Sequence, residues 1–67
     1  MNQSPKHLIK LLKAHSFIFK RAKGSHQIYY NPINNITIVV PVHGGKHIKK
    51  GTFFAILKQA GIDKNEV

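Results

Sequence analysis

The sequence predicts an α+β fold with the order helix, strand, strand, strand, helix. Both ends of the chain carry apolar residues at the i, i+3, i+4 spacing of a helix. The middle is rich in β-branched and aromatic residues between turn residues, as strands are. Each helix offers one apolar stripe, so we expect a three-stranded antiparallel sheet covered on one face by two helices. Residues 1–67 are expected to form a single domain.

The first helix is indicated by its start. Ser4 is a typical N-cap, and Pro5 suits the first helical position. The apolar stripe that follows consists of Leu8, Leu11, Leu12 and His15. A second stripe consists of Lys6, Lys10 and Lys13. This second stripe is interpreted either as a solvated face or as a face that follows the phosphates of a nucleic acid.

Three strands are predicted between the helices, over residues 17–23, 26–31 and 36–43. Gly24 and Ser25 join the first two as a tight hairpin, in which Gly24 takes the position that needs a positive φ. The Asn- and Pro-rich segment 31–35 forms the second turn. In the third strand, Ile36, Ile38, Val40 and Val42 alternate towards one face. Pro41 cannot donate a hydrogen bond to a neighbouring strand, which favours a sheet edge for this strand.

The second helix is predicted from about Lys49 to Gly61, the residue that ends it. Its buried stripe consists of Phe53, Ile56, Leu57 and Ala60. A glycine-led basic loop, residues 44–50, comes before it. Backbone amides at a helix start together with Lys46, Lys49 and Lys50 make a candidate anion site, although no P-loop pattern is present.

Composition limits the class of protein. The 67-residue chain has no cysteine, so its stability must come from the 42% of apolar residues. No run approaches the roughly 20 apolar residues of a membrane span, and no apolar signal stretch stands at the start. A cytoplasmic protein without membrane contact is therefore expected.

Charge indicates the class of partner. Eleven Lys and Arg against two acids give a net charge of +9, and both acids, Asp63 and Glu66, stand near the end of the chain. Such a surface favours polyanions, with nucleic acid as the first choice of partner and an acidic protein as the second. The chain lacks the paired carboxylates of glycosidases and the acidic cluster of two-metal nucleases.

A metal site is not expected, nor is any cofactor. Of the five histidines, His43 and His47 lie four residues apart, but Gly44 and Gly45 between them disfavour the helix that would bring them together. No cysteine or nearby acid completes a set of ligands. His7 and His15 lie in the first helix.

His26 is the candidate reactive residue, because a tight hairpin fixes its backbone and cations surround it. Positive charge on Lys20, Arg21 and Lys23 disfavours imidazolium, and a neutral ring can act as a general base. The alternative is a structural histidine that caps the hairpin or stacks on Tyr30. The residues by themselves slightly favour that alternative, since no acid orients the ring.

Strand alternation groups His26 with Ile28 and Tyr30. It does not determine which face of the sheet they share, and the rim of the helix-covered side is one candidate. Tyr29 and Tyr30 point to opposite faces of the strand. An exposed tyrosine beside lysines could stack an RNA base, although aromatic residues are also ordinary strand residues.

Three segments resemble the HicA (YcfA-like) mRNA interferase toxins. They are the G-S-H turn at 24–26, "VPVHG" at 40–44 and "KKGTFFAILKQAGI" at 49–62. The resemblance covers residues 4 to 62 and implies a fold like that of double-stranded-RNA-binding domains. It also implies a metal-independent endoribonuclease that is toxic when free, and a HicB antitoxin that neutralises it by direct binding.

The resemblance assigns the catalytic histidine to His26 and its presenting turn to Gly24 and Ser25. RNA-binding residues are predicted among the cations and one aromatic near this turn and near the second helix: Lys20, Arg21, Lys23, Tyr30, Lys46, Lys49 and Lys50. Lys23, Lys46 and Lys50 are the candidates for neutralising charge in the transition state. His43 is a candidate second acid or base. The family usually has glycine where this chain has Ser16, so a left-handed backbone there would be strained.

Two rival classes of protein fit the same residues. One is a module of the same fold that binds RNA without cutting it. The other is an interaction protein whose charge serves only an acidic partner.

Overall fold

The computed structural model describes residues 4–42 and 47–66. Its elements are α1 (Pro5–Ala14), β1 (Ile18–Lys23), β2 (His26–Asn31), β3 (Ile36–Pro41), α2 (Lys50–Ala60) and a short 3-10 helix, Lys64–Glu66. The predicted α+β fold and its element order are confirmed. The first strand begins one residue later than predicted, and the third ends at Pro41, two residues earlier.

Helix α1 begins and ends at defined hydrogen bonds. The Ser4 hydroxyl accepts a hydrogen bond from the His7 amide at 3.1 Å, as predicted for an N-cap. At the other end Ser16 is left-handed, with φ of 73°. The Ser16 amide donates to Lys13 O, and the amide of Phe17 donates to Leu12 O. This is the Schellman arrangement, and it buries Phe17 ahead of β1.

Helix α2 ends in the same way but begins differently. Gly61 has φ of 75°, and the Ile62 amide donates to Leu57 O at 2.9 Å. Lys49 stands at the N-cap position, and its side chain makes no capping hydrogen bond. The α2 start is therefore stabilised less by its own sequence than the α1 start.

The sheet has the order β1-β2-β3, with both pairs antiparallel. Strand β3 lies at an edge, as Pro41 predicted, and both helices pack against it. Its Ile38 and Val40 are fully buried, and Tyr29 of β2 lies beside them. The core consists of Leu8, Leu12, Phe17, Tyr29, Ile38, Val40, Ile48, Phe53, Ile56, Leu57, Ala60 and Ile62.

One buried polar side chain, Asn31, connects the sheet to the end of α1. Its Nδ2 donates to His15 O at 3.0 Å, and its Oδ1 accepts from the Ile33 amide at 2.9 Å. Its amide group therefore has partners on both sides, which offsets the cost of burying it. The His15 ring also lies 3.0 Å from Glu66, next to the chain end.

Strand β1 is the opposite edge of the sheet, and all six of its residues are exposed. Both helices pack against β3, so β1 is the strand of the sheet that lies farthest from them. Phe19 packs edge-on against the Tyr29 ring at 5.6 Å and is still 50% exposed. No described helix is long and apolar enough to cross a membrane.

Candidate nucleic-acid interface and active site

The face of the sheet turned away from the helices, called the open face below, carries His26. Along β2, Tyr29 and Asn31 are buried under the helices, and His26 is exposed. Since alternate residues of a strand point to opposite sides, His26, Ile28 and Tyr30 share the open face. The sequence left the face of His26 undetermined, and the rim of the helix-covered side is not the position that it takes.

The physical reason is that the core buries Tyr29 and not Tyr30. The Tyr29 hydroxyl donates to Gln27 Oε1 at 2.8 Å, so its ring can be buried while its polar group keeps a partner. Burial raises the pKa of the Tyr29 hydroxyl above its usual value, so it remains a neutral donor. Because His26 lies three residues before Tyr29 in the same strand, burial of Tyr29 places His26 on the open face.

The hairpin holds the His26 backbone in place. Gly24 has φ of 58°, whereas the φ of Ser25 is not positive. Glycine with positive φ at the first central position is the pattern of a type II′ turn. His26 pairs with Lys23 on one side and with Pro41 on the other. Just beyond the strand, Ser25 O accepts from the Val42 amide at 2.6 Å.

A β-bulge brings cations beside His26. The register of β1 on β2 shifts between Phe19 and Arg21, so that Arg21 pairs with Ile28 and Lys23 pairs with His26. Directly paired residues of an antiparallel sheet lie on the same face. Regular alternation would have placed both cations on the side of Phe19, and the bulge moves them to the open face.

Tyr30 continues this group along β2. The Lys20 Nζ lies 5.6 Å from the centre of the Tyr30 ring. The Tyr30 hydroxyl donates to Asn35 Oδ1 at 2.6 Å. The structure thus brings five of the predicted site residues to the open face: Lys20, Arg21, Lys23, His26 and Tyr30.

Two of the predicted RNA-binding residues belong to a different element, helix α2 and its N-cap. Lys49 and Lys50 are exposed at the start of α2. Lys50 lines a groove of about 620 Å³ with residues of α2 and the segment after it. His43 and Lys46 lie outside the described residues, so their predicted roles stay predictions.

Sequence reasoning missed the apolar component of the open face. Ile18 pairs with Tyr30 and is 49% exposed, and Val39 pairs with Ile28 and is 48% exposed. The alternation of β3 contained a signal for Val39, because Ile38 and Val40 were already assigned to the core. No comparable signal marked Ile18, whose facing depends on the bulge.

The electrostatics of the open face favour an anion. The two carboxylate side chains of the sequence lie near the far end of the chain and are used locally. Asp63 Oδ1 accepts from the Asn65 amide, and Glu66 contacts His15 and the Asp63 amide. Within residues 4–42 and 47–66, neither carboxylate side chain is paired with a cation of β1, and a phosphate could take that place.

The described histidine and acid side chains do not form a metal site. Within residues 4–42 and 47–66, no three His, Asp or Glu side chains are close enough to hold an ion together.

The comparison with known families agrees with this geometry. The family model described as the HicA toxin of bacterial toxin–antitoxin systems matches residues 5–62, which include both helices, all three strands and the His26 hairpin. No curated protein matches the chain significantly. Because the family match spans most of the sequence, this chain belongs to the HicA toxin family of bacterial toxin–antitoxin systems.

Proposed function

We propose that this chain is a metal-independent endoribonuclease that cleaves mRNA in the cytoplasm and uses His26 as its catalytic base. The whole chain is taken to act as one domain. The observation that carries the proposal is the placement of His26 at the end of a fixed hairpin, directly paired with Lys23 on an exposed basic face. Membership of a toxin family supports it.

The proposed reaction is an intramolecular attack within RNA. A neutral His26 ring nitrogen takes the proton of a 2′-hydroxyl, and the 2′ oxygen attacks the adjacent phosphorus. The bond from phosphorus to the 5′ oxygen breaks, and that oxygen takes a proton from a general acid. The products are a 2′,3′-cyclic phosphate and a 5′-hydroxyl end. His43 is the candidate general acid, and it lies outside the described residues.

Cations of the open face would act on the charge of the phosphate. Lys23 is the nearest in register to His26 and would stabilise the negative charge that grows on the phosphoryl oxygens. Arg21 and Lys20 would hold phosphates farther along the strand. Lys46, Lys49 and Lys50 are proposed to extend this contact beyond the open face.

The proposed protein partner is a HicB-type antitoxin, since the family pairs toxins with antitoxins. A net charge of +9 favours an acidic antitoxin on electrostatic grounds. An acidic reading frame beside this gene, whose product co-purifies with the chain and suppresses RNA cleavage, would support this pairing. A neighbouring product that binds without changing cleavage would contradict it.

The decisive experiment compares the wild-type protein with His26→Ala on a labelled RNA, with and without EDTA. We expect the substitution to lower cleavage at least 100-fold, because general base catalysis contributes about 10²- to 10⁴-fold. RNA binding should be retained, since the cations remain. Cleavage by the wild type should survive EDTA.

His15→Gln is the matched control, because His15 lies at the end of α1 and pairs with Glu66. Its cleavage rate should equal that of the wild type. Unchanged cleavage by His26→Ala would refute the assignment of His26. A wild type that binds RNA but never cuts it would favour the rival function, a non-catalytic RNA-binding module.

A further inference from the structure

We propose that Tyr30 is a stacking site for an unpaired RNA base, which makes cleavage at His26 depend on a neighbouring nucleotide. This inference rests on the proposed function for its reaction. It adds a residue that selects the substrate, and it names the substrate as single-stranded rather than duplex RNA.

The Tyr30 ring is held in position before any ligand arrives. Its strand is the central one, and Tyr30 pairs with Ile18 on one side and Thr37 on the other. Its hydroxyl donates to Asn35 Oδ1 at 2.6 Å, and Asn35 is itself fixed in a left-handed turn with φ of 59°. An aromatic ring restrained in this way loses little conformational entropy on binding.

The spacing along β2 separates the stacking site from the reacting group. Tyr30 lies four residues after His26, which corresponds to about 13 Å along a strand. The even spacing puts both side chains on the open face. A base on Tyr30 therefore belongs to a nucleotide near the cleaved linkage, and not to the nucleotide whose 2′-hydroxyl reacts.

Lys20 shows that one face of the ring can take a ligand. Its ammonium nitrogen lies 5.6 Å from the ring centre, at the outer range of a cation–π contact, and Lys20 is exposed. An arriving base takes the place of the ammonium over the ring. The long Lys20 side chain then reaches the phosphate of the same nucleotide, so the cation changes its partner without becoming buried.

The apolar side chains around Tyr30 favour binding of unpaired RNA over duplex RNA. Ile18 and Val39 expose about half of their surface on the open face. Such side chains offer nothing to phosphates, but they can pack against the flat face of a base. Duplex RNA displays phosphates and hydroxyls and keeps its bases stacked inside, so this surface fits unpaired bases.

The test is a double-mutant cycle between the ring and the base. The substrates are short single strands of DNA with one ribonucleotide, each lacking one base at a different position near the cleavage site. For the wild type, one missing base should lower kcat/KM by about 5- to 150-fold, the usual effect of one stacked base. With Tyr30→Thr, the loss of that base should no longer lower kcat/KM in this way. The effect of removing a base at the other positions should be the same as in the wild type.

Two variants serve as controls. Tyr30→Phe keeps the ring and should keep the dependence on that base. Phe19→Thr removes another half-exposed ring of the same sheet, but one that packs on the opposite side against Tyr29, and it should leave the base dependence unchanged. If thermal unfolding shows that Tyr30→Thr does not fold, Tyr30→Ile replaces it.

The outcomes separate this inference from the proposed function. If the wild type cuts but Tyr30→Thr shows the same dependence on every base, the stacking site is refuted. Equal cleavage of duplex and single-stranded RNA would also refute it. If the wild type does not cut at all, the proposed function fails, and anisotropy binding to the same strands still tests Tyr30. Binding that weakens for one missing base only when Tyr30 is present supports the stacking site.

Discussion

Ser16 has a strained backbone conformation, which lowers the stability of the fold. It follows α1 in the same Schellman arrangement in which Gly61 follows α2, and the two residues have nearly the same φ, 73° and 75°. A side chain in this region costs about 1 to 2 kcal/mol, a cost that glycine avoids. The sequence comparison with the HicA pattern pointed to this position, and the structure confirms the left-handed backbone.

We predict that Ser16→Gly stabilises the protein by about 1 kcal/mol or slightly less, because glycine removes the strain but adds freedom to the unfolded chain. For a chain of this size, the midpoint of thermal unfolding should rise by about 4 to 8 °C for each kcal/mol. Calorimetry measures the change. Ala14→Gly, two residues earlier within the helix, should instead lower the midpoint. A lower midpoint for Ser16→Gly would contradict the prediction.

For the adjacent residues Tyr29 and Tyr30, the sequence predicted the relative orientation of the side chains but not which of them is buried. Alternation predicted that Tyr29 and Tyr30 point to opposite faces, and they do. It did not predict which of them is buried, since both are equally apolar. Both hydroxyls have a partner, Gln27 for Tyr29 and Asn35 for Tyr30, so hydrogen bonding does not distinguish them. The difference is packing: Tyr29 is part of the hydrophobic core, and Tyr30 lies on the opposite face of the strand.

At the scale of elements, β1 departs most from its predicted form. A regular strand over residues 17–23 would put Phe19, Arg21 and Lys23 on one face. The bulge after Phe19 separates them, so that Phe19 meets Tyr29 while the two cations join His26. A bulge has no reliable sequence signature here, because it depends on how two strands satisfy different neighbours at once.

The N-terminus of α2 combines a weak helix start with a candidate RNA contact. We predict that Lys49→Ser stabilises the fold by about 1 kcal/mol, because a serine hydroxyl can cap the first amides where the lysine side chain does not. The same change should weaken RNA binding, since it removes a cation from a helix start that favours phosphate. Urea unfolding and filter binding measure the two effects.

Lys49→Gln is the matched control for that prediction. It removes the charge without supplying a cap, so it should weaken RNA binding to the same extent as Lys49→Ser while adding less stability. Equal stability of the serine and glutamine variants would refute the capping argument. RNA affinity equal to that of the wild type would remove Lys49 from the proposed interface.

At the scale of the whole molecule, positive charge greatly exceeds negative charge. A net charge of +9 on 67 residues leaves most cations without an internal partner. Within the described residues, the ion pair is that of His15 with Glu66. Binding of a polyanion to such a protein releases counterions and weakens as salt rises.

We predict that Arg21→Ala lowers the salt dependence of RNA binding. If Arg21 neutralises one phosphate of a single strand, the slope of log affinity against log salt should fall by about 0.7. Titrations between about 50 and 200 mM salt give the slope. Lys58→Ala removes the same charge from the last turn of α2, at a residue outside the proposed RNA contacts, and should leave the slope unchanged. Equal slopes for wild type and Arg21→Ala would exclude Arg21 from the phosphate contacts.

The sequence by itself determined the α+β order of elements, the Ser4 cap, the edge position of β3 and the family. These features follow from local patterns: hydrophobic periods, cap residues, and a proline that cannot donate a hydrogen bond. The tertiary structure decided which face carries His26 and which cations stand beside it. Those outcomes depend on the burial of Tyr29 and on the bulge in β1, both of which arise from packing between residues distant in sequence.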